Sequence, residues 1–328
     1  MDKWLSVSHQ YGVFYCTFVM MLENYHSWID TIEDTQYALK GVSLSMLRED
    51  KVHPIISGNK WRKLKYNLVE AKSKGFNTIL SFGGAFSNHI AAVAEAASKF
   101  GFKSIGVIRG EKTAILNPTL NAAVENGMQL EFVDRESYRN KSDELFIEDL
   151  RAKLGEFYLI PEGGSNELGV KGCEEILYNQ TAEFDVITIA LGTGATMAGL
   201  VRSTKDHQKV LGFPALKNGD FLKEEVSSFA KVDFDNWDLN LDYHFGGYAK
   251  VNEGLIDFMN VFHKNHGIPL DPIYTGKMMY GLNDLILKGY FEEGTKILAV
   301  HTGGLQGIKG MNNRIQQKGI RISYDETA

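Results

Sequence analysis

Apolar residues recur at Trp61, Leu64, Leu68 and Ala71, a helical spacing that predicts a helix over 61–74 ended by Gly75. The apolar run at 78–82 stops at Gly83-Gly84 and reads as a short buried strand. An Ala-rich helix is predicted over 87–100, a strand over 104–108, and a helix over 117–126 closed by Gly127. A strand over 129–133, a charged helix over 142–154 and a strand over 157–160 follow. The second half repeats the scheme with a helix over 170–179, a strand over 186–191, a helix from 195, and strands over 210–213 and 297–300. Such alternation predicts an α/β fold of parallel-rich sheets flanked by helices. No low-complexity linker or short repeat interrupts it, so the pattern alone sets no domain boundary.

Composition narrows the function. The 328 residues suit two lobes or one large unit with an ample core. A net charge of −6 argues against nucleic acid or an anionic membrane as main partner. Cys16 and Cys173 lie far apart and lack metal spacing, which argues against a disulfide framework or zinc site and fits a reducing, cytoplasmic setting. The apolar run 12–22 is too short to span a bilayer and no small-residue cleavage site follows it. Residues 1–20 are therefore expected to be a dispensable extension, with Met20 or Met21 as the start.

The chemistry concentrates in three turns. In Ser57-Gly58-Asn59-Lys60-Trp61-Arg62-Lys63, one lysine sits at the mouth of a predicted helix. An amine must lose its proton to act as a nucleophile, and Arg62 and Lys63 are expected to supply the positive charge that helps it do so. Taken alone, such a lysine is more often part of a solvated basic patch. In Gly83-Gly84-Ala85-Phe86-Ser87-Asn88-His89, a strand feeds a glycine turn and a helix start, where free N–H groups favour an anion such as a carboxylate. Ser87 there also suits a plain N-cap. In Gly192-Thr193-Gly194-Ala195-Thr196, a strand again opens through glycines into a helix and can cradle a phosphate. A nicotinamide fingerprint fits poorly: Met197 holds its third glycine position, and no acidic residue ends the next strand. A lysine able to form a Schiff base, paired with a phosphate cradle, is what pyridoxal 5'-phosphate requires.

These turns, with Leu47-Arg48-Glu49-Asp50, His53-Pro54, Tyr274-Thr275-Gly276-Lys277 and His301-Thr302-Gly303-Gly304, resemble the 1-aminocyclopropane-1-carboxylate (ACC) deaminase/D-cysteine desulfhydrase family of fold-type II pyridoxal-phosphate enzymes. The resemblance implies a large lobe from 1–61 and 166–328, a smaller inserted α/β lobe of 62–165, and a homodimer. It implies that Lys60 carries the cofactor, that Lys63 and the 192–196 turn hold its phosphate, and that Asn88 bonds its phenolic oxygen. Thr275 and Thr302 would contact the ring, Ser87 and Tyr274 would act in catalysis, and Ser87, Asn88, His89 and Tyr248 would face the substrate.

Threonine at both 275 and 302 looks like the desulfhydrase branch; deaminases carry an acid and a leucine there. A neutral hydroxyl near the pyridine nitrogen makes a weaker electron sink than a carboxylate does, which still suffices for a good leaving group such as thiolate. The implied activity is β-elimination from D-cysteine or a related small amino acid. An ACC-deaminase-like or D-serine-like ammonia-lyase is the alternative, and a pyridoxal-phosphate-binding protein with little catalysis is another. Two departures bear on the substrate: Ile90-Ala91-Ala92-Val93 replaces a segment with an Arg-Gln pair, and Trp61 stands where threonine is usual.

Overall fold

The computed structural model describes residues 27–53, 56–112, 114–231 and 235–324; the extension 1–20 and the apolar run 12–22 lie outside them. In chain order the main elements are β1 (Ile29–Ile32), α1 (Thr35–Leu39), β2 (Ser43–Leu47), α2 (Asn59–Ser73), β3 (Thr78–Gly84), α3 (Asn88–Phe100), β4 (Lys103–Arg109), α4 (Pro118–Glu125), β5 (Met128–Val133), α5 (Glu144–Leu154) and β6 (Tyr158–Ile160). Then come α6 (Glu167–Cys173), β7 (Val186–Leu191), α7 (Ala195–Ser203), β8 (Lys209–Pro214), α8 (Leu222–Ala230), β9 (Trp237–Leu239), α9 (Glu253–His266), α10 (Thr275–Leu287), β10 (Lys296–Val300) and α11 (Gly307–Ile315).

Two sheets result. One is four-stranded in the order β5-β4-β3-β6, and every pair is parallel. The other is six-stranded in the order β1-β2-β10-β7-β8-β9, parallel except where β1 runs antiparallel to β2. Buried apolar clusters lie against both, which is why the central strands β7 and β10 are near-continuous apolar runs and do not alternate.

The helix from 59 starts where the turn residues end and stops at Lys74, with Gly75 following at φ +76°. It buries Trp61, Leu64, Leu68 and Ala71, the stripe its sequence spacing marks out. Trp61 stacks on His53 at 5.5 Å between ring centroids and packs against Phe100, inside the core of the smaller sheet. Its departure from threonine thus fills core volume, worth roughly 1.5–3 kcal/mol for a buried large side chain.

The helix expected over 170–179 is instead α6, followed by a short 3-10 turn at Glu174–Ile176. Asn166 sets the earlier start by accepting from the N–H of Gly169 at 2.8 Å. Among the described residues no helix is long and apolar enough to cross a membrane, and no group of His, Cys, Asp and Glu could hold a metal ion.

Candidate active site

Both sheets aim their carboxyl ends at one cavity of about 440 Å³. Parallel strands leave ligand space there because the following helices begin with unpaired N–H groups. Lining residues come from the ends of β3, β4 and β7 and from the starts of α2, α3 and α7.

Lys60 lines this cavity, and its amine donates to Asn59 Oδ1 at 2.8 Å. Asn59 in turn donates to Thr196 Oγ1 at 2.9 Å, tying the lysine turn to the glycine turn after β7. Burial first, then the charge of Lys63, push the Lys60 ammonium down to about 7, against the pull of Cys173 and Asp271. Arg62 does not share in this, contrary to expectation. Its guanidinium is spent on Glu49 in a two-bonded pair at 2.9 Å and lies 3.7 Å from Glu175.

Gly58 makes the lysine turn possible. It sits at φ +66°, and a Cβ there would lie 1.9 Å from the carbonyl oxygen of Thr302. The backbone of the lysine turn thus presses directly on the His301-Thr302-Gly303-Gly304 loop. Thr302 lines the cavity.

Lys63 is buried and donates to the Gly163 carbonyl at 3.0 Å and to Thr193 Oγ1 at 3.1 Å. Ser165 joins Thr193 at 2.7 Å. Gly192, Thr193 and Thr196 line the cavity beside this cluster, while Gly194 and Ala195 lie behind the wall. A Cβ on Gly194 would meet the backbone N of Val226 at 2.9 Å, so packing against α8 requires a glycine here.

Ser87 is the N-cap of α3, accepting from the N–H of Ile90 at 3.3 Å, and it also lines the cavity with Asn88 and His89. Ser81 Oγ donates to the Ile160 carbonyl at 2.7 Å, so toward His89 Nε2 at 2.9 Å it must accept. The His89 proton therefore sits on Nε2, and Nδ1 is a buried lone pair. Burial, with Lys60 and Lys63 nearby, holds this imidazole neutral. Of the altered residues after it, Ile90 points at Gly83 in the core and only Ala92 reaches the cavity.

Tyr274 and Tyr248 close the far wall with ring centroids 6.2 Å apart. Burial, and then the neighbouring Tyr248, raise the Tyr274 phenol well above its ordinary value. Thr275 is fully buried at the start of α10 and does not line the cavity. Sequence reasoning missed Asp271, whose two oxygens accept from the N–H groups of Ile273, Tyr274 and Thr275 at 2.7–2.9 Å. An Asp-Pro pair three to four residues before a helix start was the available signal. Arg109 and Glu162, also on the cavity wall, carried no local motif.

The family model for pyridoxal-phosphate dependent enzymes matches residues 37–303, a span that includes every turn just described but for the last residue, Gly304. The chain belongs to the pyridoxal-phosphate dependent enzyme family. It is 32% identical over 313 residues to the 1-aminocyclopropane-1-carboxylate deaminase of Rhizobium rhizogenes, covering 86% of this chain and 93% of that one. It is also 32% identical to the mitochondrial bifunctional D-cysteine desulfhydrase/1-aminocyclopropane-1-carboxylate deaminase of Arabidopsis thaliana, covering 82% of this chain and 74% of that one. The crystal structure of an ACC deaminase homologue matches with a TM-score of 0.77 at 30% identity, over 90% of this chain and 94% of the other.

The cavity fits the cofactor of this pyridoxal-phosphate enzyme. Asn88 Oδ1 and His89 Nδ1, on the cavity wall, are buried polar atoms without a hydrogen-bond partner. Buried polar groups are rarely left so unless a further group completes them. A desolvated amine at about 7 and a Lys63–Thr193 anion cradle complete the donor set the cofactor needs.

Proposed function

We propose that this pyridoxal-phosphate enzyme is a lyase that eliminates the β-substituent of D-cysteine or a related small amino acid, releasing pyruvate, ammonia and sulfide. The observation that carries the reading is Lys60, an amine poised near neutrality on a cavity that also offers an anion cradle and a helix start. Neutral Thr275, placed at the mouth of α10, favours thiolate loss over ring opening, and the bifunctional plant relative is named for both activities.

Lys60 would hold the cofactor through its amine, and Lys63, Thr193 and Thr196 would hold its phosphate. Bound there, the cofactor supplies a sink for the electron pair left when a proton departs from the amino acid's α-carbon. The start of α3, with Ser87 and Asn88, receives the substrate carboxylate through N–H groups and dipole. Lys60, whose amine is neutral above a pH of about 7, would take the α-proton. Tyr274 keeps its proton at neutral pH and therefore serves as a donor to the leaving group, not as a base.

Purified, cofactor-loaded protein should release sulfide and pyruvate from D-cysteine faster than it releases ammonia from ACC. Faster turnover of ACC would move the assignment to the deaminase branch. Borohydride reduction and peptide mapping should find the cofactor on Lys60; a label on Lys63 or Lys65 would remove the assignment of that residue.

A further inference from the structure

Arg109 ends β4 and its guanidinium faces the cavity across bare Gly84, where a Cβ would lie 3.6 Å from Nη2. Among the described residues no carboxylate lies within ion-pair distance of it. The guanidinium rests on the ring of Tyr138 at 5.7 Å, a cation–π contact that sets its direction but supplies no counter-charge and no hydrogen-bond acceptor. Glu162, the acidic residue on the same wall, lies 3.5 Å from Lys141 instead. Small residues line the wall between: Gly84, Ala85 and Ala92 leave room that longer side chains would take. Among the described residues, the cavity therefore holds a fixed cation with neither an anionic partner nor a task in the chemistry assigned above. The phosphate has Lys63 and Thr193, and the α-carboxylate has the start of α3.

We infer that Arg109 selects amino acids whose β-substituent is itself anionic, such as a sulfonate or a short thioether ending in a carboxylate. This rests on the lyase reading and names its substrate class. Elimination then takes the α-proton onto Lys60, breaks the bond from Cβ to the substituent, and sends the electron pair out on the departing group. Water converts the three-carbon remainder to pyruvate and ammonium, so neither oxidant nor reductant is needed. A planar fork of donors suits a carboxylate or sulfonate, and it steadies the same group as it leaves with added charge.

The test is a calorimetric binding series on the cofactor-loaded enzyme, with alanine, serine, aspartate and cysteate in both D and L forms. For at least one enantiomer, cysteate and aspartate should bind about tenfold or more tightly than alanine and serine, and the margin should shrink with added salt. In R109Q the ratio of anionic to neutral affinity should collapse to about twofold or less, and R109K should restore part of it because charge returns without the fork. Circular dichroism of both variants checks that they fold. No anionic preference in the wild-type enzyme, or a preference that survives R109Q, would overturn the inference. So would an R109Q that weakens alanine as much as cysteate, since that would put Arg109 on the α-carboxylate. Pyruvate release from D-cysteine and from cysteate by wild-type enzyme is scored separately. Its failure sinks the lyase reading, while the binding ratio still decides the role of Arg109.

Discussion

The carboxylate of Asp271 accepts the backbone N–H of Tyr274 at 2.8 Å, and so orients the phenol that faces the cavity. The same buried carboxylate sits close enough to Lys60 to favour its charged form. Two cavity groups from distant parts of the chain are thus set by one acid. Asp271→Asn keeps the shape but turns a donor toward N–H donors, a loss of about 1.5–3 kcal/mol per charge-assisted bond. It should lower kcat, and it should also lower the Lys60 pKa. Activity that requires neutral Lys60 would then rise at lower pH than in wild type. A pH–rate profile checks this; a fall in kcat with an unmoved acidic limb would reduce Asp271 to a structural cap.

Lys63 acts on the same group with the opposite sign. Its positive charge is the second cause, after burial, of the depressed Lys60 pKa. Lys63→Gln should therefore raise the Lys60 pKa and shift the acidic limb to higher pH. Affinity for pyridoxal phosphate should fall as well, on the order of tenfold or about 1.4 kcal/mol, because one charged contact is lost. Measuring the profile at saturating cofactor separates the two effects. A limb that moves down would contradict the assignment.

Thr275 Oγ1 is buried without a partner. Thr275→Val removes that hydroxyl at nearly constant shape. Cofactor-free protein should be as stable as wild type, or more so by up to about 1–3 kcal/mol, since an unsatisfied buried group is gone. The rise in Tm on adding pyridoxal phosphate should shrink. A variant that loses stability without cofactor and keeps the full rise would show that the hydroxyl serves the protein alone.

Gly58→Ala puts a methyl against the Thr302 carbonyl and an L-residue at a positive φ. The backbone strain costs on the order of 1–3 kcal/mol, and displacement of the loop adds to it. Lower Tm and weaker cofactor retention are expected together, by thermal scans and absorbance. An unchanged Tm would mean that the two loops are not pressed together in solution.

The strand–turn–helix units around Ser87 and Thr193, and the glycine turn that opens the helix at Lys60, were legible because each is local. The edges of the larger sheet were not. The run Ser43-Leu44-Ser45-Met46-Leu47 mixes polar and apolar positions, and it becomes β2 only by pairing with β10 near the other end of the chain. The helix α10 was hidden by its own glycines. Gly276 and Gly281 read as breakers, yet a Cβ at either would strike Asp271 or Tyr243, so they are there to let neighbours in. Composition likewise pointed to Arg62 as an activating charge; only the fold shows that Glu49 has claimed it. Arg109 gains its place from Gly84 and Tyr138, each some 25 to 30 residues away, and a linear pattern does not carry that information.

The close seat of Gly58 on Thr302 also orders events at the ribosome. The catalytic turn is made early, but the surface it rests on emerges roughly 240 residues later, on the order of ten to fifty seconds at ordinary rates of synthesis. Until then β2 lacks its neighbour β10 and Lys60 has no finished wall to face. A nascent chain would therefore expose an ordinary amine, and the reactive one would arise only after the segment around Thr302 has been made.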